Sequence, residues 1–143
     1  MAKIKKSISI NAPVGKVYSY FEEPTNLPEV WPGMIEVSDV VRTGGELQSY
    51  RWVYKMAGMK FQGESRVTEQ IPNQRTVTEN KGGIDSTIIT SYQTEGNGTR
   101  LEMEADYALP GALLGKLAQP LILKMNESEA ETLLANLKIR MES

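Results

Sequence analysis

The chain contains no cysteine and no histidine. The first absence removes disulfides, thiolate nucleophiles and zinc–thiolate centres, and the second removes the commonest general base and metal ligand near neutral pH. Charge of one sign is also lacking: 16 basic residues against 18 acidic give a net charge of −2, with no global field to draw in phosphate backbones. Nucleic acid is therefore not expected as a partner. No apolar run approaches the roughly 20 residues of a helix that crosses a bilayer, so no integral membrane segment is expected. The groups left for proton transfer are Asp, Glu, Lys, Tyr and Arg, whose ordinary pKa values lie far from 7 and need burial or a charged neighbour to be useful. No catalytic residue, metal or cofactor is assigned.

What is present describes a folded, water-compatible chain. Hydrophobic residues make up 40% and charged residues 24% of 143 positions, and no linker divides them, so a single domain over residues 1–143 is expected. The start, Met1-Ala2-Lys3-Ile4-Lys5-Lys6, is basic, but Ser7-Ile8-Ser9-Ile10-Asn11 follows where the apolar part of a secretory leader would stand. A cytoplasmic protein is the expectation.

The clearest local pattern is Arg100–Tyr107, which alternates strictly, with Leu101, Met103, Ala105 and Tyr107 on one face and charges on the other. After Pro110-Gly111 the period becomes helical through Leu113, Leu117, Leu121, Ile122, Met125, Ala130, Leu133, Leu137 and Met141. At about 1.5 Å per residue that segment is roughly 40 Å long, enough to cover a whole curved sheet. Pro120 interrupts it, which predicts either a kink or a short helix before it and the main helix after.

Upstream, Ile4, Lys6, Ile8 and Ile10 share the inner side of a first strand. Asn11-Ala12-Pro13 ends it and opens a short helix through Glu23, with Val14, Val17, Tyr18 and Phe21 at helical spacing and Asn11 or its neighbour as cap. Pro24, Pro28 and Pro32 leave room for only one more helical turn before Gly33. Six strands then follow, Ile35–Val41, Ser49–Met56, Met59–Glu69, Arg75–Asn80, Ile84–Thr94 and Thr99–Tyr107. The turns between them, at Gly44-Gly45, Ala57-Gly58, Pro72-Asn73, Gly82-Gly83 and Asn97-Gly98, are short enough to require antiparallel neighbours. An α+β fold is expected.

The segment Ser9-Ile10-Asn11-Ala12-Pro13-Val14-Gly15-Lys16-Val17-Tyr18, followed by Asn26-Leu27-Pro28-Glu29-Val30-Trp31-Pro32-Gly33, resembles the opening of the polyketide cyclase/dehydrase and lipid transport family. Tyr107-Ala108-Leu109-Pro110-Gly111, Leu114-Gly115-Lys116-Leu117 and Leu137-Lys138 resemble its ending. The resemblance implies the helix-grip fold of the START (SRPBCC) superfamily: a seven-stranded curved antiparallel sheet around a long C-terminal helix, with two short helices between strands one and two. It implies a cavity for an apolar ligand. That scaffold carries lipid carriers, receptors, cyclases and chaperone partners, so fold and function are separate questions. Pro120 and the missing histidine depart from many members.

The expected site combines Trp31, Trp52, Tyr54, Phe61, Tyr92, Met103 and Tyr107 with Met125, Asn126, Glu129 and Leu133 of the long helix. Wide aromatic and pliable Met side chains either line a cavity or fill it. Asn126 and Glu129 interrupt the apolar stripe, and Glu129 is read as a ligand contact, a partner of an inward Arg or Lys, an ionisable group with raised pKa, or a solvated side chain. Arg51, Lys55, Lys60, Arg66 and Arg75, interleaved with Glu64, Glu69 and Glu79, read as a solvated outer face. The glycines lack the strand–loop–helix setting of a phosphate cradle. The expected function is an intracellular carrier of a lipid, quinone or polycyclic aromatic. The alternatives are a polyketide aromatase/cyclase-type enzyme using the same pocket, and a protein-interaction module acting through Leu27–Gly33 or Gly82-Gly83.

Overall fold

Period-two alternation builds a sheet whose two faces differ in kind. A computed structural model describes all residues, Met1–Ser143. It has β1 (Ala2–Ile10), α1 (Val14–Phe21), a 3-10 turn (Pro24–Asn26) and α2 (Leu27–Val30), then β2 (Met34–Thr43), β3 (Glu46–Met56) and β4 (Met59–Ile71). β5 (Arg75–Gly82), β6 (Ser86–Glu95), β7 (Gly98–Tyr107), α3 (Gly111–Leu114) and α4 (Gln119–Met141) complete it. The seven strands form one curved antiparallel sheet in the order β1-β7-β6-β5-β4-β3-β2, a meander that β1 extends by pairing with β7. This is the α+β helix-grip arrangement.

The connections turn through residues at positive φ, most of them glycine. Gly44 and Gly45 (φ 60° and 84°) and Ala57 and Gly58 (49° and 84°) turn two hairpins. The turn before β7 is made by Gly96, at φ 61°, rather than by Gly98, which already pairs with Glu95.

On the outer face, Arg51 and Arg66 lie 3.9 and 2.9 Å from Glu64, and Arg75 lies 3.1 Å from Glu69. These pairs are solvent-exposed and contribute at most about 1 kcal/mol each. Lys55 and Lys60 oppose each other across the hairpin, and neither has an acidic partner.

Pro120 resolves as the second of its two expected outcomes. It occupies the first turn of α4, where its missing N–H costs nothing, and α3 is a separate single turn before it. Pro13 is the residue before the first turn of α1, and no side chain caps that helix. The expected cap, Asn11, instead donates its backbone N–H to Glu142 Oε2 at 2.7 Å. Lys138 Nζ bridges the same oxygen (2.6 Å) and the Ser9 carbonyl (2.9 Å), and Lys16 Nζ reaches the Met141 carbonyl at 2.8 Å. The end of α4 is thereby tied to the corner where β1 meets α1. Between helix and sheet lies one apolar core in which Ile122, Leu133 and Leu137 are fully buried against Ile10, Val17 and Leu101. At roughly 1.5–3 kcal/mol per buried side chain, this contact holds α4 in place.

Candidate functional site

The helix does not fill the sheet's concavity. A cavity of about 120 Å³ remains between them. Alternation puts Tyr50, Trp52, Tyr54 and Met56 of β3 on one wall and Met103, Ala105 and Tyr107 of β7 on another. Asn126, Glu129, Ala130 and Leu133, spaced by three and four along α4, form the roof, and Trp31 and Met34 close one end. Eight of the expected residues thus meet around one space: Trp31, Trp52, Tyr54, Met103, Tyr107, Asn126, Glu129 and Leu133.

Glu129 organises the polar part of this wall. Its Oε1 accepts from Trp31 Nε1 at 2.7 Å and from the Tyr54 hydroxyl at 2.5 Å. The two rings meet edge to face, with centroids 5.6 Å apart. No Arg or Lys pairs with Glu129: the inward Lys6 is turned to Glu131, 3.0 Å away. Burial first, and then the Glu129 charge, push the Tyr54 phenol far above the ordinary tyrosine range, so it stays a donor. Gly33 makes the approach possible, since a Cβ there would stand 2.6 Å from both Glu129 Oε1 and Tyr54 Cε1. One turn earlier on α4, Asn126 is 8% exposed and donates Nδ2 to the Tyr107 hydroxyl at 2.8 Å, with Met56 Sδ at 3.7 Å.

Across the sheet floor runs a polar ladder absent from the expected set. Ser65 donates to Asn80 Oδ1, Asn80 Nδ2 donates to Ser86 at 2.9 Å, and all three line the cavity. Tyr50 lies beside Ser65; burial pushes its phenol up to about 12, and the serine partly opposes the shift. The alternation of β5 carried the signal: Arg75 and Glu79 point outward, so Thr76, Thr78 and Asn80 point inward.

A second recess of about 50 Å³ adjoins the cavity and shares Trp31, Tyr50, Ile88 and Met103 with it. Glu22 lies in its wall. This half-buried carboxylate accepts from the Tyr92 hydroxyl, and desolvation holds its pKa above the usual carboxylate range against the opposing pull of that bond. Desolvation, then the nearby Glu22 charge, raises Tyr92 as well. Thr76 sits close by, and with Tyr92 it opposes the Glu22 shift. The spacing from the inward-facing Tyr18 to Glu22 is one helical turn, which was the only trace of this arrangement in the sequence.

Three expected residues stand elsewhere. Met125 is 42% exposed, because the packed face of α4 is centred on Asn126, Leu133 and Leu137 and leaves it on the outer flank. Phe61 is on the inner face of β4 but at its start, where it packs beside Gly83 rather than along the cavity. Tyr92 is buried, yet α1 occupies the space above it: its ring meets Tyr18 edge-on at 5.2 Å. No three carboxylates converge as a metal site would require.

The arrangement has clear structural counterparts. TTHA0849 from Thermus thermophilus superposes with a TM-score of 0.83 at 23% identity, covering 98% of this chain and 97% of its own. A START superfamily protein from Mycobacterium smegmatis follows with a TM-score of 0.80 at 17% identity, over 98% and 97%. Zhui aromatase/cyclase from Streptomyces sp. R1128 gives a TM-score of 0.77 at 16% identity, over 99% and 93%. These likenesses establish the fold. The family profile described as polyketide cyclase/dehydrase and lipid transport matches residues 1–142. With that match across the sheet, both short helices and α4, the chain belongs to the polyketide cyclase/dehydrase and lipid transport family.

Proposed function

We propose that this protein is a cytoplasmic, single-domain carrier that encloses an apolar or amphipathic small molecule between α4 and the sheet. The observation that carries the reading is the cavity: about 120 Å³ of mostly apolar space, with a few polar groups gathered at Glu129, Asn126 and the Ser65–Asn80–Ser86 ladder. Apolar walls supply affinity and sparse polar groups supply orientation, the usual division in small-molecule sites. Met34, Met56 and Met103 in the wall adjust to ligand shape at little cost.

Titration with the neutral probe N-phenyl-1-naphthylamine tests this. Saturable enhancement of probe emission is expected together with quenching of tryptophan emission, because Trp31 and Trp52 both border the cavity. Emission from both partners that stays unchanged at saturating probe would sink the reading.

An aromatase/cyclase-type enzyme is the second reading. Tyr54 and Glu129 favour it: a phenol held protonated beside a carboxylate can hydrogen-bond a carbonyl oxygen while the carboxylate takes a proton from the adjacent carbon. Turnover of a poly-β-ketone mimic, lost in Glu129→Gln, distinguishes enzyme from carrier.

A further inference from the structure

Two acceptor atoms in the cavity wall have no donor. Both hydrogen bonds to Glu129 converge on Oε1, so Oε2 is left without one. Asn126 uses its Nδ2 toward the Tyr107 hydroxyl and Met56 Sδ, and no protein group donates to its Oδ1. The two residues are three positions apart on α4, hence neighbours on one face, and both border the cavity. The Gly33 backbone is what lets Trp31 and Tyr54 hold the carboxylate in place.

Charge around the cavity agrees. Lys6 is the cavity's one cation, and Glu131 already pairs with it at 3.0 Å, with Glu127 adding to the negative field there. Glu129 has no cation of its own. A ligand carboxylate at this wall would meet a like charge, whereas an ammonium can donate to both acceptors and a hydroxyl to one of them.

We infer that the cavity selects amphipathic ligands whose polar end donates hydrogen bonds, a hydroxyl to one of Glu129 Oε2 and Asn126 Oδ1 or a protonated amine to both, over ligands that end in a carboxylate. This rests on the carrier reading above and names the ligand class it takes.

Displacement of bound N-phenyl-1-naphthylamine by decanol, decylamine and decanoate at pH 7 tests it. The alcohol and the amine are expected to displace the probe at concentrations at least about tenfold lower than decanoate. Glu129→Gln is expected to close the gap between amine and decanoate to within about threefold, each displacement being referred to that variant's own affinity for the probe. Tyr54→Phe, which keeps the carboxylate, is expected to preserve the ranking, and it carries the test with the wild type if Glu129→Gln does not fold. Equal displacement by all three, or better displacement by decanoate, overturns the inference while leaving the carrier reading intact. A ranking unchanged in folded Glu129→Gln overturns it as well. Failure of the probe to bind wild-type protein overturns both.

Discussion

Trp52 occupies the space where residue 63 would carry a side chain. A Cβ on Gly63 would collide with Trp52 Cζ2 and stand 2.6 Å from Trp52 Cη2 and 2.5 Å from the Lys81 carbonyl oxygen. Trp52 and Gly63 are directly paired across β3 and β4, so the glycine lets a large indole lie over the sheet and form cavity wall. The bare backbone is thus part of the site.

Gly63→Ala should therefore act on stability and binding together. The neighbouring carbonyl belongs to the β4–β5 ladder and cannot retreat without breaking the pairing, so the indole must move toward the cavity. A loss of about 1–3 kcal/mol is expected from such overpacking. Thermal melts and the probe titration read both effects, and an alanine variant with parental melting temperature and probe affinity would refute the assignment.

Leu133 tests the roof of the cavity. It is fully buried and borders the void, so an indole at this position should project into the open space. Leu133→Trp is expected to stay folded and lose probe binding by at least about tenfold, at a stability cost of about 1–3 kcal/mol. Leu133→Ala should cost about 2–5 kcal/mol through the cavity it adds, yet retain the probe. Retained affinity in a folded Leu133→Trp variant would place the probe elsewhere.

The fold was legible because each local signal agreed with the others: strict alternation in β7, glycine-bearing turns at hairpin ends, and one long helical period after Pro110-Gly111. The phase of α4 was harder. Taking about 100° per residue from Ile122, Asn126, Leu133, Leu137 and Met141 fall at about +40°, +20°, +60° and +100°, so the packed face is centred well to one side. Met125, at about −60°, lies outside it, and Glu129, at about −20°, sits on the flank where a carboxylate can edge a cavity. A stripe drawn symmetrically about Ile122 includes Met125 wrongly.

What stayed hidden depends on contacts between distant segments. That Trp31 and Tyr54 would both choose Glu129 requires α2's exit, β3 and α4 to be placed together. Neither residue's local pattern names its partner. The Ser65–Asn80–Ser86 ladder was implicit in alternation but weak, because Ser, Thr and Asn also populate outer faces.

Glu22 gives the last prediction. Desolvation raises its pKa in the folded protein above that of the unfolded chain, near 4.3 for a free glutamate. Between those two values the folded state binds more protons than the unfolded state, so stability falls as pH rises through that window and stays lower above it. No Lys or Arg pairs with Glu22 to offset the loss, and its bond from Tyr92 opposes the shift only in part. Glu22→Gln keeps an acceptor for the tyrosine and removes the titration. The variant is expected to gain on the parent as pH rises from about 4.5 upward, by at most about 1.4 kcal/mol per pH unit within the window. Melting temperatures of the two proteins compared at half-unit steps from pH 4.5 to 8 measure that difference. Parallel curves would show that solvent, not the buried setting beside Tyr92, sets the protonation of this carboxylate.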